Sequence, residues 1–197
     1  MMAAMPSLIA HAIPAGSIAA SPQPVLPAAG GLVLSPWEPA DAPALLALYS
    51  DPAVQHWHGY RIDSEEEGRM LIGRWAERWT AETSAHWKVT RESNGELVGR
   101  IGLLSVTLWN GQAECLYSTI PATRGQGIAP RALAALCDWA FGTAGLHRIE
   151  LRHSMANAAS CRVADKSGFP AEGIQRGAEP HADGWHDLHL HARVNDN

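Results

Sequence analysis

"TIPATRGQGIAPRAL", residues 119–133, sets two glycines around a glutamine behind an arginine and then enters a run rich in alanine and leucine. The run reads as a helix that begins straight after a strand and a loop of small residues. At such a start the first backbone N–H groups have no intrahelical acceptor, and the helix dipole favours negative charge. Gly125 and Gly127 carry no Cβ, so the main chain can wrap an anion closely, while Arg124 adds charge at the loop entrance. Pro130 in the first turn gives up no useful donor. Two familiar phosphate cradles do not fit. A Walker loop needs Gly-Lys-Ser or Gly-Lys-Thr where this chain has Gly127, Ile128 and Ala129. A dinucleotide fingerprint needs a third glycine where Pro130 stands. Alone, the loop reads either as a diphosphate cradle of another kind or as a simple turn before a helix.

The residues before it read as a β meander. "HWKVTRESNGELVGRIGLLSVTLWNGQAECLYSTI", residues 86–120, breaks at Asn94-Gly95 and at Asn110-Gly111. Each Asn-Gly accepts the positive φ of a tight hairpin turn, so three consecutive antiparallel strands are expected. Further upstream lie a strand at "LVLS", a helix from Asp41 through Tyr49, and a second helix opened by Ser64 and three glutamates. Downstream come a helix ending near Gly142 or Gly145, the strand "HRIELRHS", a helix "NAASCRVADKSG" closed by Gly168, and a last strand in "GWHDLHLHARV". This order predicts an α/β (α+β) domain whose mixed, mostly antiparallel central sheet is flanked by helices.

The chain of 197 residues suits one domain. Residues 1–30, rich in Ala, Pro and Gly and without a basic start, read as a flexible N-terminal extension and not as a secretory signal, which leaves 31–197 as the domain. A net charge of −5 gives no pull toward nucleic acid or anionic membrane, and no apolar run approaches the roughly 20 residues of a bilayer span. Cys115, Cys137 and Cys161 show neither zinc-type pairing nor an even count, a pattern suited to a reducing cytoplasm. Of the ten histidines, His189 and His191 share one strand face, but spacing supplies no third ligand and no metal is expected.

Several blocks in fixed order around the loop sharpen the reading. Arg124, Gly127 and Ala129 fill a pattern [RQ]-x-x-G-x-[GA]; "ECLYSTIP" precedes it with Glu114, Tyr117 and Pro121; "NAAS" and "KSGFPAEG" come after it with Asn157, Ser160, Lys166, Gly168, Phe169, Glu172 and Gly173. In these blocks, across roughly residues 31–193, the chain resembles the GNAT acetyltransferase superfamily, and within it the branch holding the bacterial ribosomal-protein alanine and serine N-acetyltransferases. The resemblance implies a sheet splayed at the acetyl-CoA site. It departs at three positions: Leu116 replaces the glycine of the pre-loop strand, Ser118 replaces a common aromatic, and Arg131 stands where relatives usually carry Glu.

The same resemblance implies acetyl-CoA as the cosubstrate. Its holders would be Arg124, Gly125, Gln126, Gly127, Ile128 and Ala129, the backbone of Ser118, Thr119 and Ile120, one of whose N–H groups polarises the thioester, and Asn157 and Ser160. Ser160 is the implied candidate acid for the departing thiolate, with satisfaction of a helix carbonyl as its bland alternative. By the same resemblance the base is expected to be Glu179, with Glu114 or a water chain behind it. Trp57 and His58, in the loop between the first two helices, and Leu116 and Ser118 are expected to line the acceptor cleft. The implied acceptor is a primary amine, either a small molecule or a protein N-terminus. A non-catalytic acyl-CoA binder and a transferase of longer acyl groups are the competing functions, and a homodimer is expected because relatives often form one.

Overall fold

Every strand among the described residues belongs to one sheet, and its order decides where a cleft can open. The computed structural model describes residues 8–195. Strands β1 (Leu26–Ala28), β2 (Leu32–Pro36), β3 (Ala85–Arg91), β4 (Leu97–Thr107), β5 (Gln112–Thr119), β6 (Arg148–Ser154), β7 (Ala171–His181) and β8 (Gly184–Val194) form an eight-stranded sheet in the order β1-β2-β3-β4-β5-β6-β8-β7. All neighbours are antiparallel except β5 and β6. That single parallel junction is forced by the helix between them, which returns the chain to the same end of the sheet. Helices α1 (Ala42–Tyr49), α2 (Pro52–Trp57) and α3 (Glu65–Thr80) cover one face, and α4 (Ile128–Gly142) and α5 (Ala158–Lys166) the other.

Local chemistry set most of these boundaries. Gly95 and Gly111 take φ of 71° and 64° at the two expected hairpins, and the Ser64 hydroxyl accepts the Glu67 amide at 3.2 Å to cap α3. Asp41 does not cap α1 with its side chain; the carboxylate accepts the Glu38 amide and the Lys88 ammonium instead. Trp57, expected in a loop with His58, falls instead in the short helix α2, because Asp51 caps it through the Val54 amide at 3.0 Å and Pro52 fits its first turn. Trp57 is therefore its last residue. At the end of α5, Gly168 adopts a φ of 71° and lets Phe169 turn into the core. Glu172, a member of the matched blocks, forms an ion pair with Arg148 and ties β7 to β6.

The core on the α4/α5 face is built on tryptophan. Trp87 is fully buried and meets the Trp139 ring edge-on at 5.2 Å, with Trp79 completing the group. Such pairs add roughly 0.5–1.5 kcal/mol beyond the area they bury.

The expected flexible extension is corrected over its described part. Pro24 O accepts the Trp87 indole N–H at 2.8 Å, β1 pairs with β2, and Ile13 is buried. The anchor is Glu82, whose carboxylate accepts the amides of Gly16, Ile18 and Ala19 at 2.6, 2.6 and 3.0 Å. Composition hides this because the acceptor lies 63 to 66 residues away in sequence. Residues 1–7 lie outside the described residues. Burial pushes the Glu82 carboxyl up, the three amides outweigh it, and its pKa falls below the ordinary value. A depressed carboxylate contributes stability above its unfolded pKa and loses it as pH falls through the folded one. Glu82→Gln is thus expected to cost about 1.5–3 kcal/mol near pH 7, with the difference shrinking in acid; urea melts at several pH values check both.

Candidate active site

A wedge opens inside the sheet. β5 and β6 pair only from Gln112 to Glu114 against Arg148 to Glu150. Beyond that, β5 continues to Thr119 along β4 while β6 continues to Ser154 along β8. The separation forms although Leu116 stands where a glycine bulge is usual. On its open side β5 presents unpaired backbone like a sheet edge. Ile120 donates its amide to Val98 O at 3.0 Å, so the alternation of the ladder turns the Ser118 and Ile120 N–H groups toward β4 and the Thr119 and Tyr117 N–H groups into the wedge. Of the three expected donors, Thr119 is the one so aimed.

The glycine loop closes one end of the wedge. Gly125 and Gly127 have φ of 78° and 70°, left-handed values that β-carbons resist. Arg131, one turn into α4, reaches back and donates to Gly127 O at 3.0 Å and Gln126 O at 2.8 Å. It also donates to Ala29 O and Gly30 O, which explains an arginine at a position where relatives carry Glu. With those carbonyls held inward, the amides of Gly125, Gly127, Ile128 and Ala129 have no protein acceptor among the described residues. Arg124 stands at the entrance, engaged by Asp51 at 2.6 Å, and Gln126 accepts Arg91 at 2.6 Å. Burial pushes the Asp51 carboxyl up, but Arg124 and the α2 amides bring it below its ordinary value, so the pair is ionised.

Opposite the loop stands the start of α5. Asn157 caps the helix, its Oδ1 accepting the Ser160 amide at 3.1 Å, and its side-chain NH2 remains without a protein acceptor among the described residues. The Ser160 carbonyl accepts the Tyr117 hydroxyl at 3.4 Å, whereas the Ser160 hydroxyl makes no such bond back to the helix. Its proton is free for another acceptor.

The other face of the wedge differs in chemistry. Glu114, Leu116 and Ser118 alternate onto the side of α1 to α3, and Arg100 of β4 meets Ser118 Oγ at 3.3 Å while its guanidinium lies 4.8 Å from the Tyr49 ring centre. His58 packs near Tyr49, and burial, with Arg100 and His181 adding to it, pulls its pKa down to about 4, so it is neutral at pH 7. Trp57 sets its edge against His181 and His186. Of the four residues expected at the acceptor cleft, Leu116 and Ser118 share a strand face, His58 meets Tyr49, and Trp57 meets His181 and His186. A groove of about 500 Å³ is lined by Tyr60, Arg61, Arg74, Trp75, Arg78 and Leu104 among others, and the Trp75 ring centre lies 5.9 Å from the Arg100 guanidinium.

The two candidate bases fare differently. Glu114 is ion-paired with Arg152, so its carboxylate is already engaged. Glu179 is exposed on β7 opposite His186. Sequence reasoning missed a third arrangement at this place: Ser154 Oγ lies 2.8 Å from His186 Nδ1, and His186 Nε2 lies 2.9 Å from Asp183. A backbone hydrogen bond, reinforced by His186, holds the Asp183 carboxyl below its ordinary value. The carboxylate accepts the Nε2 hydrogen, so Nδ1 accepts from the serine. Asp183 and His186, three apart across an Ala-Asp-Gly turn, were a legible signal; Ser154, 32 residues upstream, was not.

Comparison with known proteins agrees with this geometry. Residues 31–170 match the model of the acetyltransferase (GNAT) domain. The chain is 29% identical over 146 residues to the uncharacterized N-acetyltransferase YoaA of Bacillus subtilis, covering 74% of this chain and 82% of that protein. Among solved structures, RimL, a ribosomal L7/L12 alpha-N-protein acetyltransferase in complex with coenzyme A, superposes with a TM-score of 0.82 at 23% identity over 88% of this chain and 99% of its own. The ribosomal-protein-S5-alanine acetyltransferase of Vibrio fischeri gives 0.81 at 20% identity over 88% and 98%. The overall fold is thus shared with these proteins, and the chain belongs to the GNAT acetyltransferase family.

Proposed function

We propose that this protein transfers an acetyl group from acetyl-CoA to the primary amine of a small molecule that also carries an anionic group, by direct attack in a ternary complex. The observation that carries the reading is the end of β5–β6 pairing at Glu114, which leaves a strand edge open beside a cradle of free amides. The amides of Gly125, Gly127, Ile128 and Ala129 receive the diphosphate, and pantetheine pairs with the edge of β5 as an added strand would. Asn157 donates to the pantetheine arm. The Thr119 N–H polarises the thioester carbonyl, the amine nitrogen attacks that carbon, and the C–S bond breaks as Ser160 gives its proton to the sulfur and takes one back from solvent, to which His186 later releases the proton it gained from the amine. The amine passes its proton to Ser154 Oγ while Ser154 hands its own to His186 Nδ1, with Asp183 steadying the imidazolium.

The acceptor class rests on charge. Arg61, Arg74 and Arg78 face the groove against Glu67, a balance that favours a carboxylate or phosphate and opposes the basic surroundings of a ribosomal N-terminus. The test is incubation with acetyl-CoA and a panel of amines, read by mass for the added acetyl group. Anionic amines are expected to react best, and Arg74→Ala with Arg78→Ala should raise their KM about 10-fold or more with little change in kcat. Preference for basic N-terminal peptides would overturn the acceptor class, and tight coenzyme A binding without transfer to any amine would overturn the enzyme reading in favour of a binder. Reaction with longer acyl-CoA donors in preference to acetyl-CoA would move the donor class.

A further inference from the structure

β8 carries His189 and His191 on the face covered by α5, and the antiparallel register sets His153 of β6 opposite His189. Cys161, the residue after Ser160 on α5, brings a thiol to the same place. One ligand atom from each of these four residues lies within 4.8 Å of every other. Chain spacing supplied only two of them; the third and fourth come from a neighbouring strand and a helix.

Hydrogen bonding fixes what two of the rings can do. His153 Nδ1 lies 2.9 Å from Ser154 O, and His191 Nδ1 lies 3.0 Å from Phe169 O. A carbonyl oxygen only accepts, so each Nδ1 carries the hydrogen and each Nε2 presents a lone pair. Those two Nε2 atoms face one another at 3.2 Å. Two acceptors at that distance repel unless a cation lies between them. The third ring adds to the demand: His189 Nδ1 is buried and has no partner among the described residues. A backbone carbonyl holding the second nitrogen of an imidazole is also the usual support of a metal-ligating histidine.

We propose that His153, His189, His191 and Cys161 bind one divalent transition-metal ion of the zinc class. Three imidazoles and a thiolate suit tetrahedral zinc, while the lack of a carboxylate among them disfavours calcium and magnesium. Bonds of roughly 2.0–2.3 Å span such a cluster after modest side-chain rotation. With all four positions filled by protein, the ion is structural. It clamps α5 to the β6–β8 pair and so steadies the turn that projects Asn157 and Ser160. The site lies on the opposite face of the sheet from Ser154 and His186 and makes no use of the proton relay.

The test uses the full chain stripped with a chelator and titrated with Co(II). One equivalent is expected to give the intense visible bands of tetrahedral Co(II) together with a thiolate charge-transfer band, and zinc should displace it. Cys161→Ala should abolish the charge-transfer band, and His189→Gln should weaken binding about 10–100-fold. Zinc should raise the melting temperature of the wild-type chain and not that of the variants. Absence of the visible bands in the wild-type chain, or binding that His189→Gln leaves unchanged, would overturn the proposal and assign the pair His153 and His191 a shared proton. The wild-type spectrum decides this without any variant, and it does not depend on the acceptor.

Discussion

His186→Gln is expected to lower kcat by about 10²–10³-fold, within the range that a positioned acid or base contributes, while leaving the KM for acetyl-CoA near its wild-type value. The size comes from the wiring. Only the Nδ1 lone pair of His186 can take the proton that leaves through Ser154, because Nε2 is committed to Asp183. Glutamine keeps a polar side chain at a half-buried position but offers no ring nitrogen to take the proton. Ser154→Ala should fall by a similar factor, since it cuts the relay between amine and imidazole. Asp183→Asn should cost less, as Asp183 is more than half exposed at the side chain and orients the ring from its solvent side. Glu179→Gln provides the opposing experiment. If steady-state kinetics show that change to be the more damaging, with kcat of His186→Gln near the wild-type value, the base is Glu179 and the histidine only positions the β7–β8 hairpin. Thermal melts of each variant separate lost chemistry from lost fold.

Gly127→Val carries the second large effect, on the donor. At a φ of 70° a β-carbon is strained by about 1–2 kcal/mol, and a branched side chain is worse placed still. An added Cβ meets only Arg131 Nε, at 3.9 Å, so packing of the free protein is not what suffers. The side chain would instead enter the space before the free amides of Ile128 and Ala129. The expected outcome is a rise of about 10²-fold in the KM for acetyl-CoA and in the Kd for coenzyme A by calorimetry, with a much smaller change in kcat. Gly125→Val should behave in the same direction, having open space around its own Cβ position. Undiminished coenzyme A binding by both variants would remove the cradle from this loop. Arg131→Met is the companion measurement: it frees the carbonyls of Gln126 and Gly127, and these can turn toward the phosphates they now avoid.

These two expectations draw on different depths of information. The loop was legible in the sequence because its signals are local: glycine where φ is positive, proline in a first helical turn, and small residues between a strand and a helix. The same holds for the hairpins at Gly95 and Gly111 and for the Ser64 cap. Asn157 and Ser160 were singled out only through the order of several short blocks, and the structure adds that Asn157 caps α5 through the Ser160 amide. The relay was not legible, since Ser154 reaches His186 only after β6 has found β8 as its neighbour.

Local rules of backbone conformation, hairpin turns and helix starts determined the elements of this protein, and linked motifs determined its family. Tertiary structure alone decided the rest. Strand pairing is a contest among distant segments, and its outcome left β5 and β6 joined over a short stretch and parted beyond Glu114. The same outcome gave His153, Cys161, His189 and His191 a common place and put Ser154 on the opposite face. It also carried the Glu82 carboxylate to three amides of a segment that composition alone would leave loose. In each case a side chain's partner is chosen by the sheet's order and by burial, and neither quantity is written in the residues nearest to it.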